Sequence, residues 1–214
     1  MRQGIDPVRW WSWDFGTICP GTLPPAESSI WEACYDNDCE HGKRTTRKLD
    51  LLPVPIQDVF KALRGPGEID EWSDRLDYQV HDDPMLHGGG LHVMSPGGWL
   101  NCHLDYDVHP YLPQYRRALN IVAFLHDEWD PAWGGQFYLA DPFGNPTLLF
   151  PPLPGRVVAF EVSDWSYHGV LPISPKAKER VSAAVYYLFD AAHERKCDQR
   201  VRIRKRAMFL PTRR

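Results

Sequence analysis

Between Trp99 and Asp107 the chain reads Trp-Leu-Asn-Cys-His-Leu-Asp-Tyr-Asp, and the two-residue spacing of His103 and Asp105 constrains it more than any other feature. On an extended strand, side chains two apart project to one face with Cα atoms roughly 6.5–7 Å apart, so this pair can clasp one ion. A third ligand is available at His168, which follows Val157-Val-Ala-Phe-Glu-Val162, an apolar run with strand character. The next such run is Arg180-Val-Ser-Ala-Ala-Val-Tyr-Tyr-Leu-Phe189, on which Arg180 and Ser182 share a face. A permanently charged planar guanidinium beside a hydroxyl is a natural clamp for a carboxylate.

Two imidazoles and one carboxylate on one face are the donor set of non-haem Fe(II), with further coordination positions left open. The same set would also suit zinc in a hydrolase. Asp107 and His109 continue the alternation, so all four could face inward on a regular strand; Pro110 marks the end of that strand by His109, which is expected as a hydrogen-bonded bystander. Cys102 points away from the metal on a regular strand, and Tyr106 and Tyr167 are expected on the far face as well. Cys34, Cys39 and His41 offer three donors without an obvious fourth and are expected as ordinary side chains. An odd count of five cysteines argues against a complete disulfide framework and fits a reducing compartment.

From about Leu91 to Phe189 the chain resembles the iron(II)- and 2-oxoglutarate-dependent oxygenases, in their prolyl 4-hydroxylase-like branch. The matching pieces are Ser95-Pro-Gly-Gly98 ahead of His103-x-Asp105, Leu125-His-Asp-Glu-Trp129 through Trp133-Gly-Gly135, Pro154-Gly-Arg-Val-Val-Ala-Phe160, and His168 with Arg180-x-Ser182. Phe160-Glu-Val-Ser163 ahead of His168 is similar to the ribosomal-protein prolyl hydroxylases. The resemblance implies a mainly β fold with flanking helices, a double-stranded β-helix or jelly-roll, cupin-like barrel. It implies Fe(II) on His103, Asp105 and His168, and 2-oxoglutarate held at its far carboxylate by Arg180 and Ser182. O2 is the oxidant and ascorbate a supporting reductant. In many relatives a tyrosine also touches that carboxylate; the matching position here is Phe124, and Asn120 on the same strand face is a candidate substitute. Trp129 and Trp133, flanking a turn at the expected site mouth, are candidates for substrate contact or for packing.

The implied activity is hydroxylation of a C–H bond with succinate and CO2 as coproducts, with a prolyl residue in a peptide or protein as the expected substrate. A free amino acid, small metabolite or nucleotide is the alternative substrate class, and a non-catalytic ligand-binding barrel is the alternative to an enzyme.

At 214 residues and 43% hydrophobic, the chain is expected to form one domain: an N-terminal helical cover over 1–90, the catalytic barrel over 91–189, and a basic arm over 190–214. Short helices are expected at Pro25–Cys34 and Ile56–Leu63, the second ended by the Pro- and Gly-containing stretch 64–67. Leu86-His-Gly-Gly-Gly-Leu91 reads as a tight loop. Trp10, Trp11 and Trp13 either line a groove or anchor the N-terminal segment. Residues 195–214 hold nine Lys or Arg against one Asp, about +8 in a chain of net −4. Arg200-Val-Arg-Ile-Arg204 within them alternates like a charge-protected edge strand, with nucleic-acid contact as the sharper alternative. No signal peptide and no segment of membrane-spanning length is evident, so a cytoplasmic-type protein without membrane contact is expected.

Overall fold

A computed structural model describes residues 8–192, 204 and 206–211. In chain order the elements are β1 (Trp10–Asp14), β2 (Ala33–Tyr35), β3 (Glu40–Thr46), α1 (Val54–Leu63), α2 (Pro66–Leu76), β4 (His81–Asp82), β5 (Gly90–Leu104), β6 (Tyr115–Phe124), β7 (Phe137–Ala140), β8 (Pro146–Phe150), β9 (Arg156–Glu161), β10 (Tyr167–Val170), β11 (Arg180–Asp190) and β12 (Met208–Phe209). The strands hydrogen-bond in the order β1-β9-β6-β11-β5-β10-β7-β8, with β2 and β3 continuing from β5, β4 on β11 and β12 on β5. All pairs are antiparallel, and the curled sheet is the jelly-roll double-stranded β-helix.

The strand β5 holds the two halves together. On one side of β5, Gly90–Met94 pairs with β11 and Leu100 and His103 pair with β10; on the other, β3 pairs from Leu91 to Leu100 and β12 with His103 and Leu104. The change of partners falls across Ser95-Pro-Gly-Gly98, where Gly97 takes φ +83°, a backbone state that costs a residue without Cβ little. Upstream, Gly90 is required sterically: it sits at φ +102°, and a Cβ there would meet the Thr46 carbonyl oxygen at 2.3 Å.

Alternation along β11 sorts the chemistry from the packing. Val181, Ala183, Val185, Tyr187 and Phe189 join the core under the helices, while Arg180, Ser182, Ala184 and Tyr186 face the barrel cavity. The helix α1 buries Ile56, Val59, Phe60 and Leu63, a single face at helical spacing, and Tyr187 donates its hydroxyl to the Leu63 carbonyl at 2.6 Å, satisfying one carbonyl of the last turn.

The helix expected at Ile56–Leu63 forms. The one expected at Pro25–Cys34 does not: turns lead into β2, and Ser28 Oγ accepts the Ile30 N–H at 3.4 Å, the local bond by which serine competes with helix. The stretch 64–67 ends α1 and also starts a second helix, because Pro66 at the first helical position needs no N–H partner. The N-terminal 90 residues are therefore part strand, and β1 to β3 extend the sheet. The tryptophans anchor: Trp11 and Trp13 pack on Trp72 of α2, and Trp10 on Phe150. Of the alternating Arg200–Arg204 run only Arg204 lies within the described residues. Among the described residues no helix is long and apolar enough to cross a membrane.

Phe60 is 1% exposed at the α1–sheet contact. Phe60→Ala should cost about 3–5 kcal/mol of unfolding free energy, as for other buried aromatic truncations, read from the shift in denaturant midpoint. A loss under about 1 kcal/mol, the range of ordinary surface changes, would show that α1 is not part of the cooperative core.

Candidate metal centre

His103 and His168 are direct partners across β5 and β10. Asp105 follows one residue beyond the end of β5, and the three side chains are buried with ligand atoms within 4.8 Å of one another. Asp105 Oδ1 lies 3.8 Å from His103 Nε2, and its Oδ2 lies 3.7 Å from His168 Nε2. The other ring nitrogens settle the tautomers. His103 Nδ1 is 2.9 Å from the Asn101 carbonyl and His168 Nδ1 is 2.8 Å from the Ser166 carbonyl. A carbonyl only accepts, so both Nδ1 atoms carry the hydrogen, leaving two Nε2 lone pairs aimed at the carboxylate.

Protonation fits the same reading. Burial, reinforced by His168, pulls His103 down to about 3, and burial lowers His168 too. Burial alone would raise Asp105, but His168, Arg117 and His103, with the Tyr186 hydroxyl, outweigh it and hold the carboxyl at about 2. Neutral imidazoles and an ionised carboxylate are the forms that bind a divalent cation.

Asp105 is itself oriented. Tyr186 donates its hydroxyl to Oδ2 at 3.0 Å, and Asn120 Nδ2 donates to the same oxygen at 3.3 Å and to the Tyr186 hydroxyl at 2.9 Å. Arg117 Nη1 is 3.4 Å from Oδ1, its guanidinium held between the Tyr106 and Tyr186 rings at 3.7 and 3.4 Å. Asn120 thus spends its N–H on the metal carboxylate. Its buried Oδ1, which has no partner, is an acceptor and cannot bond a second carboxylate. The sequence reading missed Arg117 and Tyr186. Tyr186 was signalled by its shared parity with Arg180 and Ser182, but Arg117 reaches the cavity only through a bulge opposite Tyr187–Leu188.

Arg180 is 3% exposed and donates Nε to the Gly135 carbonyl at 2.9 Å and Nη1 to Ser182 Oγ at 3.5 Å. Its plane lies over Phe124, with 4.9 Å from Cζ to the ring centroid. Among the described residues no carboxylate pairs with it, Nη2 is buried without a partner, and burial pulls its pKa down to about 9. The cation opens onto the same cavity as the metal triad, about 410 Å³ in volume. His92, which sequence reading passed over, also faces this space, paired on the sheet with Ser182 and Thr45; burial foremost holds it neutral, at about 3.

The other candidates fall elsewhere. Asp107 meets Arg116 and the Arg204 backbone, and His109 lies 3.4 Å from Asp83. Tyr106 faces the cavity, contrary to expectation, because β5 has ended before it and alternation no longer applies; Tyr167 packs with Cys102 and Tyr138 on the far side. Trp129 is buried against Met94, Val170 and Ile173 with its Nε1 on the Gly134 carbonyl at 3.1 Å, and Trp133 stacks edgewise on it. Neither tryptophan lines the cavity, so the expectation of substrate contact gives way to packing. Cys34 and Cys39 are free thiols, His41 pairs with Asp36, and among the described residues the only metal-competent cluster is His103, Asp105 and His168.

A sequence model of the 2OG-Fe(II) oxygenase superfamily matches residues 89–188. No curated protein sequence matches the chain. Among solved structures, a Pseudomonas putida prolyl-4-hydroxylase is similar with TM-score 0.53 and 19% identity over 83% of this chain and 91% of that one. The viral collagen prolyl hydroxylase of Paramecium Bursaria Chlorella virus-1, in its 2OG complex, gives TM-score 0.45 and 16% identity over 64% and 75%. Residues 89–188 thus match the 2OG-Fe(II) oxygenase superfamily, on a fold shared with the Pseudomonas enzyme, which supports a 2-oxoglutarate-dependent dioxygenase.

Proposed function

We propose that His103 Nε2, Asp105 and His168 Nε2 hold the Fe(II), that Arg180 and Ser182 hold the far carboxylate of 2-oxoglutarate, and that the chain hydroxylates a prolyl residue in a peptide or protein. The observation that carries the cosubstrate assignment is the buried guanidinium of Arg180, a residue that lines the metal cavity and whose Nη2 has no partner. A charge removed from water without a counter-ion is costly, and a dicarboxylate spanning from metal to Arg180 supplies the missing partner.

When bound, iron couples the decarboxylation of 2-oxoglutarate by O2, which yields succinate and CO2, to insertion of the second oxygen atom into the substrate C–H bond. The protein's own part is placement. The carbonyls of Asn101 and Ser166 fix the two imidazole rings, Tyr186, Asn120 and Arg117 fix the carboxylate, and Phe124 gives Arg180 an apolar face that keeps water from its π surface. The prolyl reading is supported by the motif Phe160-Glu-Val-Ser163, by the prolyl-4-hydroxylase identity of the Pseudomonas neighbour, and by Tyr35, Tyr106 and Tyr111 on the cavity wall, flat faces suited to a pyrrolidine ring.

His168→Ala removes one of three protein ligands and should abolish stoichiometric iron binding and 2-oxoglutarate turnover; full iron loading by this variant would end the metal assignment. Arg180→Ala should raise the KM for 2-oxoglutarate about ten- to a hundred-fold, from loss of a charge-assisted bond worth ~1.5–3 kcal/mol. Unchanged 2-oxoglutarate kinetics would mean that another group holds the cosubstrate. For the substrate, the protein is incubated with iron, ascorbate, 2-oxoglutarate and proline-containing peptides, and mass spectrometry should show one added oxygen on proline. Modification of free amino acids or small metabolites with every peptide untouched would favour the alternative class, to which the cavity-wall ion pairs Glu40–Lys43 and Glu32–Arg47 lend charges of both signs.

A further inference from the structure

The segment from Arg204 to Leu210 lies outside the stretch that matches the family, yet it touches all three ligand-bearing pieces of chain. Its strand β12 pairs with the end of β5, Phe209 opposite His103 and Met208 opposite Leu104, and the Leu210 N–H bonds the Cys102 carbonyl at 2.9 Å. The Phe209 ring stacks on the His103 ring, with centroids 4.9 Å apart and planes 24° from parallel. Five residues before Phe209, the Arg204 fork joins two loops: Nε donates to the Asp105 carbonyl at 2.9 Å, Nη2 to the Ser163 carbonyl at 3.1 Å, and Nη1 to Asp164. The Ser163 turn is closed by Ser166, whose hydroxyl donates to the Ser163 carbonyl and whose own carbonyl holds His168 Nδ1. The Arg204 backbone is tied down in turn, its carbonyl accepting from Asp107 and Val108.

We infer that this C-terminal strap is a working part of the metal centre, with Arg204 and Phe209 as positioning residues that keep the ligands assembled before metal arrives. Phe209 fixes the plane of His103. Arg204 fixes the distance between the segment carrying Asp105 and the turn that orients His168, a task that needs a planar fork with several donors and that a lysine ammonium cannot perform. The inference rests on the iron assignment above. It also gives the C-terminal segment a structural duty at the barrel, separate from any charge effect of the basic arm, since Ala207 and Phe209 form part of the cavity wall.

Metal-stripped protein is titrated with Co(II), an air-stable probe of the Fe(II) position, following its visible absorption, and the melting temperature of each apo variant is recorded separately. Wild type should bind one Co(II). Arg204→Ala and Phe209→Ala should bind 10- to 100-fold more weakly, the range of second-layer changes at metal sites, with an altered Co(II) spectrum. Phe209→Tyr should retain wild-type affinity and Arg204→Lys should not. Met208→Ala, an exposed position on the same strand, should leave Co(II) binding intact whatever it does to melting. Wild-type affinity and spectrum in both alanine variants would overturn the strap's role while sparing the iron assignment. Failure of wild type itself to bind Co(II) at His103, Asp105 and His168 would overturn both. If Co(II) affinity falls only in proportion to melting temperature across all variants, Met208→Ala included, the strap is a general stabiliser and the inference fails.

Discussion

His103 and His168 meet as direct cross-strand partners, and the rest of the site depends on that register. Side chains in a strand alternate with period two, so a slip of one residue would turn His103 away and bring Cys102 inward. The register of β5 against β10 shifts between Leu100 and His103. This irregularity reverses parity: His92, Met94 and Leu100 face the cavity from even positions, and His103 from an odd one. The same strand pairs with β11 through its first half, which brings Arg180 and Ser182 around to the cavity that His103 closes from the other side. One fifteen-residue strand therefore sets both ends of the space in which a dicarboxylate can lie.

The electrostatics of the two ends are opposite in kind. Around Asp105 the charge is answered: Arg117, a tyrosine hydroxyl and an amide N–H converge on one carboxylate. Among the described residues, nothing around Arg180 answers the charge except carbonyl and hydroxyl dipoles and an aromatic face. A fully satisfied buried group rigidifies, whereas an unsatisfied one stores a cost that only a ligand removes. The barrel is saturated with partners at the metal-competent triad and short of them at Arg180. The substitution of Phe124 for a tyrosine suits this division: a ring face stabilises the guanidinium without consuming its free N–H groups.

Strict alternation made much of this legible. Arg180 and Ser182 stand on β11 where period-two reasoning holds, His103 and Asp105 share a face although Asp105 lies just past the end of β5, and α1 announced itself by Ile56, Val59, Phe60 and Leu63. The failures have physical causes at particular residues. Arg117 and Asn120 differ in parity, and only the bulge in β6 lets both reach Asp105; a bulge leaves no mark in hydrophobic pattern. Tyr106 turns inward because the strand stops at Leu104. Trp129, adjacent in sequence to residues expected at the mouth, is captured by a local apolar cluster and the Gly134 carbonyl. The Arg204 and Phe209 contacts join positions about a hundred residues apart in sequence, and long-range pairings of that kind follow from topology, not from local pattern.

Seen by origin, the cavity has two sources. The triad of His103, Asp105 and His168, the buried Arg180 and the side chains that support Asp105 all come from residues 89–188, which match the oxygenase family. Tyr35, Glu40, Lys43 and Thr45 from the β2–β3 hairpin, with Ala207 and Phe209 from the C-terminal strap, supply walls from outside that stretch. The donor set can stay fixed on the barrel strands while the walls vary, because β3, with β2 on its far side, and β12 attach along β5 without carrying a ligand. The cavity is thus built in two separable layers, the donor set on the strands that match the family and further wall on the added ones. Of the added elements the strap alone stacks on a metal ligand. A change there would alter both layers at once, while a change in the hairpin would alter only what the cavity admits.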